Sequence, residues 1–404
     1  MKNLIPEGFE LNNLQRRYLG LDEVMPHWDR VAFGKRMVLY FDGDVVRKKV
    51  EYTPLNEYQE TDHHEMTAEN RTILLPKTKR GKPKTLNYSA TNSFSYNGVY
   101  FFFSGLFIVM GNYTTQTSFY EENNDDKLTI GEWLAKWVDE TTEQNLAELR
   151  RFKELKRQHH KYAEGDFFTF KVGRNKWGFG RITLNITERL KSPSFRDANP
   201  GFCNLMGKAL YIAVYRKLSD TPDADIDQLR HCEMLPTQAI MDNRFYYGSY
   251  RIIGNRVMEP DEWEPIISYS EKFSRGDKFD FTYLQYGLIC KKEDRRIDER
   301  YLKDDIRRDC IYQNQCTGFG IIHYSKLEKI INEGIDNDSL LSDNDLRKKS
   351  NRGAKQEIFS SLGLDANKSY AENLRIVEES SRSDSAQNNQ TQGFLARLRN
   401  KFGK

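Results

Sequence analysis

From the first residues to about 125, and again from about 162 to 270, hydrophobic positions come in short runs of Val, Ile, Phe and Tyr. Gly, Pro and Asp punctuate them, which is the pattern of strands rather than helices. Val38-Leu39-Tyr40-Phe41 runs into Asp42-Gly43-Asp44 and out again through Val45 to Val50. An Asp-Gly step between β-branched and aromatic runs predicts a hairpin. Arg71 to Pro76 predicts another strand, and Val99–Phe103 with Leu106–Met110 an aromatic pair on either side of Ser104-Gly105. Asn112 to Tyr120 keeps the same β-type composition.

The period changes at Thr129. Thr129-Ile-Gly-Glu132 has capping-box spacing, and Trp133, Trp137, Leu146, Leu149, Phe152 and Leu155 fall at helical intervals. One or two helices over 131–160 are predicted, ending in the polar stretch Arg157 to His160. Strand texture then returns in 165–182, where Phe168 and Phe170 alternate on one face and Gly173-Arg174-Asn175 makes a turn. Trp177-Gly178-Phe179-Gly180-Arg181 follows, with glycine at period two. Glycine inside a strand costs packing and entropy, so the pair implies a tight barrel corner or a close backbone approach. Leu210–Tyr215, the region Glu233–Ile240 and Gly248–Gly254 predict further strands, and Ile226 with Leu229 a short helix.

Beyond about 275 the chain becomes densely charged. Lys291 to Arg308 mixes both signs, as a solvated helix face does, and Leu327–Ile335 and Lys355–Leu362 predict short helices. The polar run within 376–392 cannot bury a core and predicts disorder, and 393–404 is a short basic amphipathic segment. The expected fold is α+β, with two β-rich domains of mostly antiparallel sheet joined by a helix, a helical C-terminal region and a disordered tail. The expected boundaries are 1–125, 126–161 for the connecting helical segment, 162–272, 273–375 and 376–404.

Composition adjusts this picture. At 404 residues the chain exceeds the size at which a single core stops growing. Hydrophobic residues make up only 38% but aromatics reach 13%, so Tyr and Phe must supply much of the core. The 62 basic and 59 acidic residues nearly cancel, leaving +3, and give no global argument for nucleic acid or an anionic membrane. Neither partner is expected. The 5 cysteines include no CxxC pair, so reduced thiols in a cytoplasmic protein are expected rather than zinc or disulfides. No signal-peptide core opens the sequence, and the longest apolar run, Val99 to Met110, is too short to span a bilayer.

Candidate chemistry is sparse. His63-His64 and His159-His160 are adjacent pairs, and neighbours in a strand or helix point to different faces. Asp62, His63, His64 and His231 could still assemble a metal-dependent hydrolase, although no HExxH or His-x-His is present. There is no G-x-S-x-G elbow, and Gly173-x-x-x-x-Gly178 lacks the Lys-Ser/Thr of a phosphate loop. No catalytic residue and no cofactor is expected. The loop 77–84, with five Lys or Arg including Lys79 and Arg80, offers contacts for phosphate or an acidic protein surface, and a nucleic-acid-binding module built on it is a further alternative. A solvated hairpin tip is the competing reading.

Four stretches together resemble the immunity protein 26 family of bacterial polymorphic-toxin systems. They are Gly165–Phe168 leading to Lys176–Arg181, the strand Leu210–Tyr215 with Leu229, Leu235-Pro236-Thr237, and Gly248–Asn255 ahead of Pro265. The family usually places another aromatic, often Trp, where Tyr250 stands. The resemblance spans 164–270, roughly a quarter of the chain. It implies a mostly β domain that binds and neutralises a cognate toxin without catalysis, nuclease toxins being common in such systems. Some relatives carry a phosphotriester-hydrolase label, which is the alternative activity. Since Tyr, Trp and Arg dominate interface energetics, Trp177, Arg181, Tyr246, Tyr247 and Tyr250 are candidate contacts, with Lys79 and Arg80 from the basic loop. No small-molecule substrate is expected.

Overall fold

The structure is a computed structural model describing residues 3–68, 71, 73–74, 84–274, 278–303, 310–313 and 326–380. Lys79, Arg80 and the segment 393–404 lie outside the described residues. The chain divides into two compact units. One holds Met1–Lys161 with Lys171–Lys176 and Arg244–Tyr250, and the other Tyr162–Phe170, Trp177–Asn243 and Arg251–Lys404.

The first unit is built on an antiparallel sheet. Its strands are β1 (Asp29–Phe33), β2 (Met37–Asp42), β3 (Val45–Thr53), β4 (Glu57–Ala68), β5 (Ile73–Leu74), β6 (Lys84–Thr85), β7 (Val99–Phe103), β8 (Phe107–Asn112) and β9 (Thr117–Asn123). They run in the order β1-β2-β3-β4-β7-β8-β9, with β5 and β6 branching from β4. The predicted hairpin forms, with Asp42 opposite Val45 across the Gly43-Asp44 turn. β2 reads as a continuous apolar run because both of its faces are buried. Val38 and Tyr40 join Val50, Tyr58, Phe101, Phe103 and Met110 in one cluster. Met37, Leu39 and Phe41 join Val46, Ala90 and Phe94 in another.

Among its described residues this unit also has α1 (Asn13–Tyr18), α2 (Ile130–Asp139) and α3 (Glu143–Glu154), the 3-10 helix Ala90–Ser93 and most of the short helix Asn243–Tyr246. The capping box anticipated at Thr129 is present, with the Thr129 N–H donating to Glu132 at 2.7 Å and the Glu132 N–H donating to Thr129 Oγ1 at 3.2 Å. One turn apart on α2, Trp133 and Trp137 stack at 5.1 Å and face the sheet. Each such buried ring contributes about 2–3 kcal/mol. A second box, Thr142 with Asn145, starts α3. Helix ends at Glu154 rather than at 160, and residues 155–163 are irregular.

The second unit carries two antiparallel sheets. β10 (Asp166–Val172), β11 (Lys176–Leu184), β12 (Ala209–Ser219), β13 (Gln238–Met241) and β14 (Arg251–Asn255) form one, in the order β13-β12-β11-β10-β14. A Cβ on Gly178 would stand 2.6 Å from Phe170 Cζ, and one on Gly180 would stand 2.4 Å from Phe168 Cζ and 2.8 Å from the Ala213 carbonyl oxygen. Close approach therefore explains the glycine pair: the two phenylalanine rings cross the strand where side chains would be. β11 also shifts register against β12 between these glycines.

β15 (Ile267–Ser274), β16 (Lys278–Tyr286) and β17 (Ile289–Glu293) make the other sheet. This corrects the expectation that helix begins near 273. Phe279, Phe281 and Tyr283 alternate with polar residues at period two, and the mixed-sign run from Lys291 opens as an edge strand. Of the helix expected over 291–308, the described residues contain only the 3-10 turn Glu299–Tyr301. The later helices are Leu327–Asn332, Arg352–Ser361 and a last one over 370–380. The last reaches five residues into the segment expected to be disordered, because Tyr370, Leu374 and Val377 present an apolar stripe to the cluster around Tyr286 and Phe359. No helix of the described residues is long and apolar enough to cross a membrane.

Candidate partner-binding surfaces

In the first unit, the extended stretch after α3 runs beside the segment Arg244–Tyr250. The His160 N–H donates to the Tyr246 carbonyl at 2.8 Å. The His159 ring stacks on Tyr246 at 4.3 Å and 16°, and Tyr247 meets Tyr246 edge-on at 5.1 Å. The Arg157 guanidinium lies 5.0 Å over the Tyr247 ring and donates to its hydroxyl at 3.0 Å. The result is a ladder, Arg157–Tyr247–Tyr246–His159. Both tyrosines are half-buried, and Arg157 and His159 are exposed. Leu155, half exposed, follows directly on α3. Residues 150–161 contribute six Lys or Arg against the single acid Glu154, so the stretch that carries Arg157 and His159 is basic in sequence.

The ladder rests on fixed supports. Arg244 donates to Ser118 at 3.0 Å and to Glu121 at 2.7 Å. Tyr250 returns its N–H to the Arg244 carbonyl at 2.9 Å and packs edge-on against Phe245. Tyr246 and Tyr247 are thus brought together with two residues, Arg157 and His159, that sequence reasoning weighed only as part of a polar helix end and as a metal pair. Tyr250 acts from below as a support.

Trp177 and Arg181 sit elsewhere, inside the second unit. Trp177 is half-buried against the cluster of Phe167, Phe179, Tyr215 and Leu229. Arg181 is fully buried and offers no surface to a partner. Its guanidinium covers the Phe167 ring at 4.5 Å, reaches Glu262 at 3.1 Å, and donates to the carbonyls of Arg256 and Val257, each at 2.8 Å. Burial would raise the Glu262 carboxyl. The Glu259 N–H, Arg181 and Arg230 outweigh it and hold the group below the usual carboxylate range. Arg181 ties the loop before β15 to the sheet.

The same loop borders a cleft of about 400 Å³ that the sequence did not reveal. Leu235, Pro236 and Thr237 form one wall, Pro260 to Glu264 another, and Asn337, Leu341, Arg347 and Tyr370 close it. Trp263 packs edge-on against Tyr370 at 5.4 Å. A single Trp within Glu259-Pro-Asp-Glu-Trp-Glu-Pro265 was the available signal, an aromatic set among acids between two prolines.

The residues considered for a metal site do not converge. On β4, His63 is buried and His64 exposed, as adjacent strand positions require. The His63 ring lies against Phe94 and Tyr96, and neither nitrogen has a hydrogen-bond partner among the described residues. Asp62 is engaged by Lys48 and by the Asp22 N–H at 2.9 Å, His64 lies 3.2 Å from Arg47, and His231 is exposed in the other unit. Among the described residues no three His, Cys, Asp or Glu are grouped to hold a metal ion.

Residues 163–279 match the family model described as Immunity protein 26. The match takes in the five-stranded sheet, Arg181, the Leu235–Thr237 wall, Tyr246, Tyr247 and Tyr250, and Trp263. No curated protein and no solved structure matches the chain.

Proposed function

We propose that this protein is a non-catalytic immunity protein of a bacterial polymorphic-toxin system, acting in the cytoplasm by binding a cognate toxin and occluding its active site. The observation that carries this reading is the family match over 163–279, within which Tyr246 and Tyr247 lie. The ladder supplies a physical route. Two tyrosines held by stacking and by an Arg lose little side-chain entropy on binding, and residues of these types dominate interface energies. The basic stretch would speed encounter with an acidic toxin face. No cofactor or small-molecule substrate enters this mechanism.

Co-expression with the product of the neighbouring gene tests it, since the reading requires that product to be a toxin. The wild-type chain should restore growth, and the purified pair should form a stable complex. Tyr247→Ala should weaken that complex by about 2 kcal/mol, roughly thirtyfold in Kd, with a slower on-rate at high salt for both proteins. Failure to protect against the neighbouring toxin, with no complex formed, overturns the reading.

A further inference from the structure

We infer that Arg157 is the anchor of the tyrosine ladder and receives the carboxylate of an Asp or Glu side chain presented by the protein partner. The inference deepens the immunity reading, on which its choice of a protein partner rests. Its first ground is the balance of charge. Lys156, Arg157 and Lys161 are exposed, and none of them meets a carboxylate among the described residues. Their neighbours are matched within the fold, Lys153 by Asp22 and Arg244 by Glu121 at 2.6 Å. On the acidic side of residues 153–161 stands Glu154 alone, exposed at the end of α3. The unpaired charge of the stretch is therefore three cations against one acid.

The second ground is geometry. Of the three cations Arg157 is held in place, by its bond of 3.0 Å to the Tyr247 hydroxyl and its position 5.0 Å over that ring. A guanidinium carries five N–H donors in a planar fork, so after one bond to Tyr247 an edge is left for bidentate contact with a carboxylate. The Tyr247 hydroxyl accepts that bond, and its own proton has no acceptor among the described residues. Neither ring nitrogen of His159 has a hydrogen-bond partner there either. The ladder thus offers donors in excess of acceptors, already ordered before a partner arrives. A nucleic acid gains affinity by neutralising many phosphates at once, and three unpaired cations in a chain of net charge +3 supply little of that. One fixed fork suits one planar carboxylate. A basic or purely apolar segment would leave Arg157 repelled or desolvated without a counter-charge.

The test titrates the full chain with two sets of octapeptides, one centred on Asp or Glu and one with Asn or Gln in their place, and with a single-stranded octanucleotide. Wild type should bind the acidic set, more weakly as salt rises, and not the amide set. Arg157→Gln, at an exposed position whose folding a melting curve can check, should weaken that binding at least tenfold. Arg157→Lys keeps the charge without the fork and should weaken it about fivefold. Tyr247→Phe keeps the ring but releases the guanidinium, and should cost about threefold. Equal binding of both sets, binding that Arg157→Gln leaves unchanged, or full binding by Arg157→Lys overturns the inference. An octanucleotide that binds more tightly than the acidic peptides, and loses that affinity with Arg157→Gln, gives the surface to nucleic acid and also overturns it. In the toxin complex, Arg157→Gln should raise Kd at least tenfold. An unchanged Kd removes the anchor while leaving the immunity reading intact. A wild-type chain that binds acidic peptides through Arg157 but protects against no toxin does the reverse.

Discussion

On the nine-stranded sheet Lys48, Glu60 and Asp62 share one buried network with Arg16 of α1, whereas the five-stranded sheet buries Arg181 with help that is mostly neutral. Glu60 receives Arg16 at 2.7 Å, Lys48 at 3.1 Å and the Tyr58 hydroxyl at 2.8 Å. All four charged side chains are at least nine-tenths buried. Burial alone would raise Glu60, yet Lys48 and Arg16 hold it below the ordinary range. Burial leaves Asp62 above its ordinary range despite Lys48, with Asp22 adding to the rise. Glu60 is therefore the firm negative charge of its network. Arg181 instead spreads its charge over one carboxylate and two carbonyls, and that carboxylate keeps Arg230 and the Glu259 N–H. The first arrangement depends on every member and the second tolerates a loss.

The largest expected effect follows from that difference. Glu60→Gln leaves Arg16 buried without a counter-charge and should cost about 3–5 kcal/mol. Arg181→Met removes three hydrogen bonds but leaves Glu262 paired, and should cost about 1–3 kcal/mol. Urea midpoints of the full chain compare the two. An Arg181→Met variant as unstable as Glu60→Gln would break the distinction.

A smaller effect separates the network from its neighbour His63. Burial first, then Lys49 and Lys48, push the His63 imidazolium from the usual 6.5 down to about 4. Between these values the unfolded chain binds the extra proton, so stability is full above 6.5 and falls as pH drops towards 4. The loss should approach about 3 kcal/mol. Glu60, with its lowered value, adds its loss only below the ordinary carboxylate range, as the pH falls further. Thermal melts between pH 7 and 4 should show a slope that His63→Phe flattens. An unchanged slope would return the acid sensitivity to the carboxylates.

How much of this was legible depends on the range of the interaction. The Asp42–Val45 hairpin, the Thr129 capping box and the antiparallel α+β character are local, set by turn chemistry and period, and the sequence displays them. β16 was legible too, in the alternation of Phe279, Phe281 and Tyr283, but the mixed charges beyond Lys291 masked it. Charge mixing reports solvation and not helix. The candidate sites were less visible, because both are made by residues distant in the chain. Arg157 meets Tyr247 across ninety positions, and the cleft joins Leu235 to Trp263 and Tyr370. Arg181 misled for the same reason. Nothing local says that Glu262 and two carbonyls will converge on it.

The glycine pair of β11 gives the finest comparison, since its members differ only in what stands over them. A Cβ at Gly178 would meet Phe170 Cζ at 2.6 Å and Leu327 Cδ2 at 3.0 Å, both ends of side chains that can turn aside. At Gly180 it would meet Phe168 Cζ at 2.4 Å and also the Ala213 carbonyl at 2.8 Å, which belongs to the paired strand and cannot yield without shifting β12. Gly180→Ala should therefore destabilise by about 1–3 kcal/mol, while Gly178→Ala should cost about 1 kcal/mol. Shortening the ring opposite sharpens the contrast. Phe170→Leu should recover part of the Gly178→Ala loss, whereas Phe168→Leu should leave most of the Gly180→Ala loss in place, because the clash with backbone remains. Equal rescue at both positions would mean that ring packing alone requires these glycines.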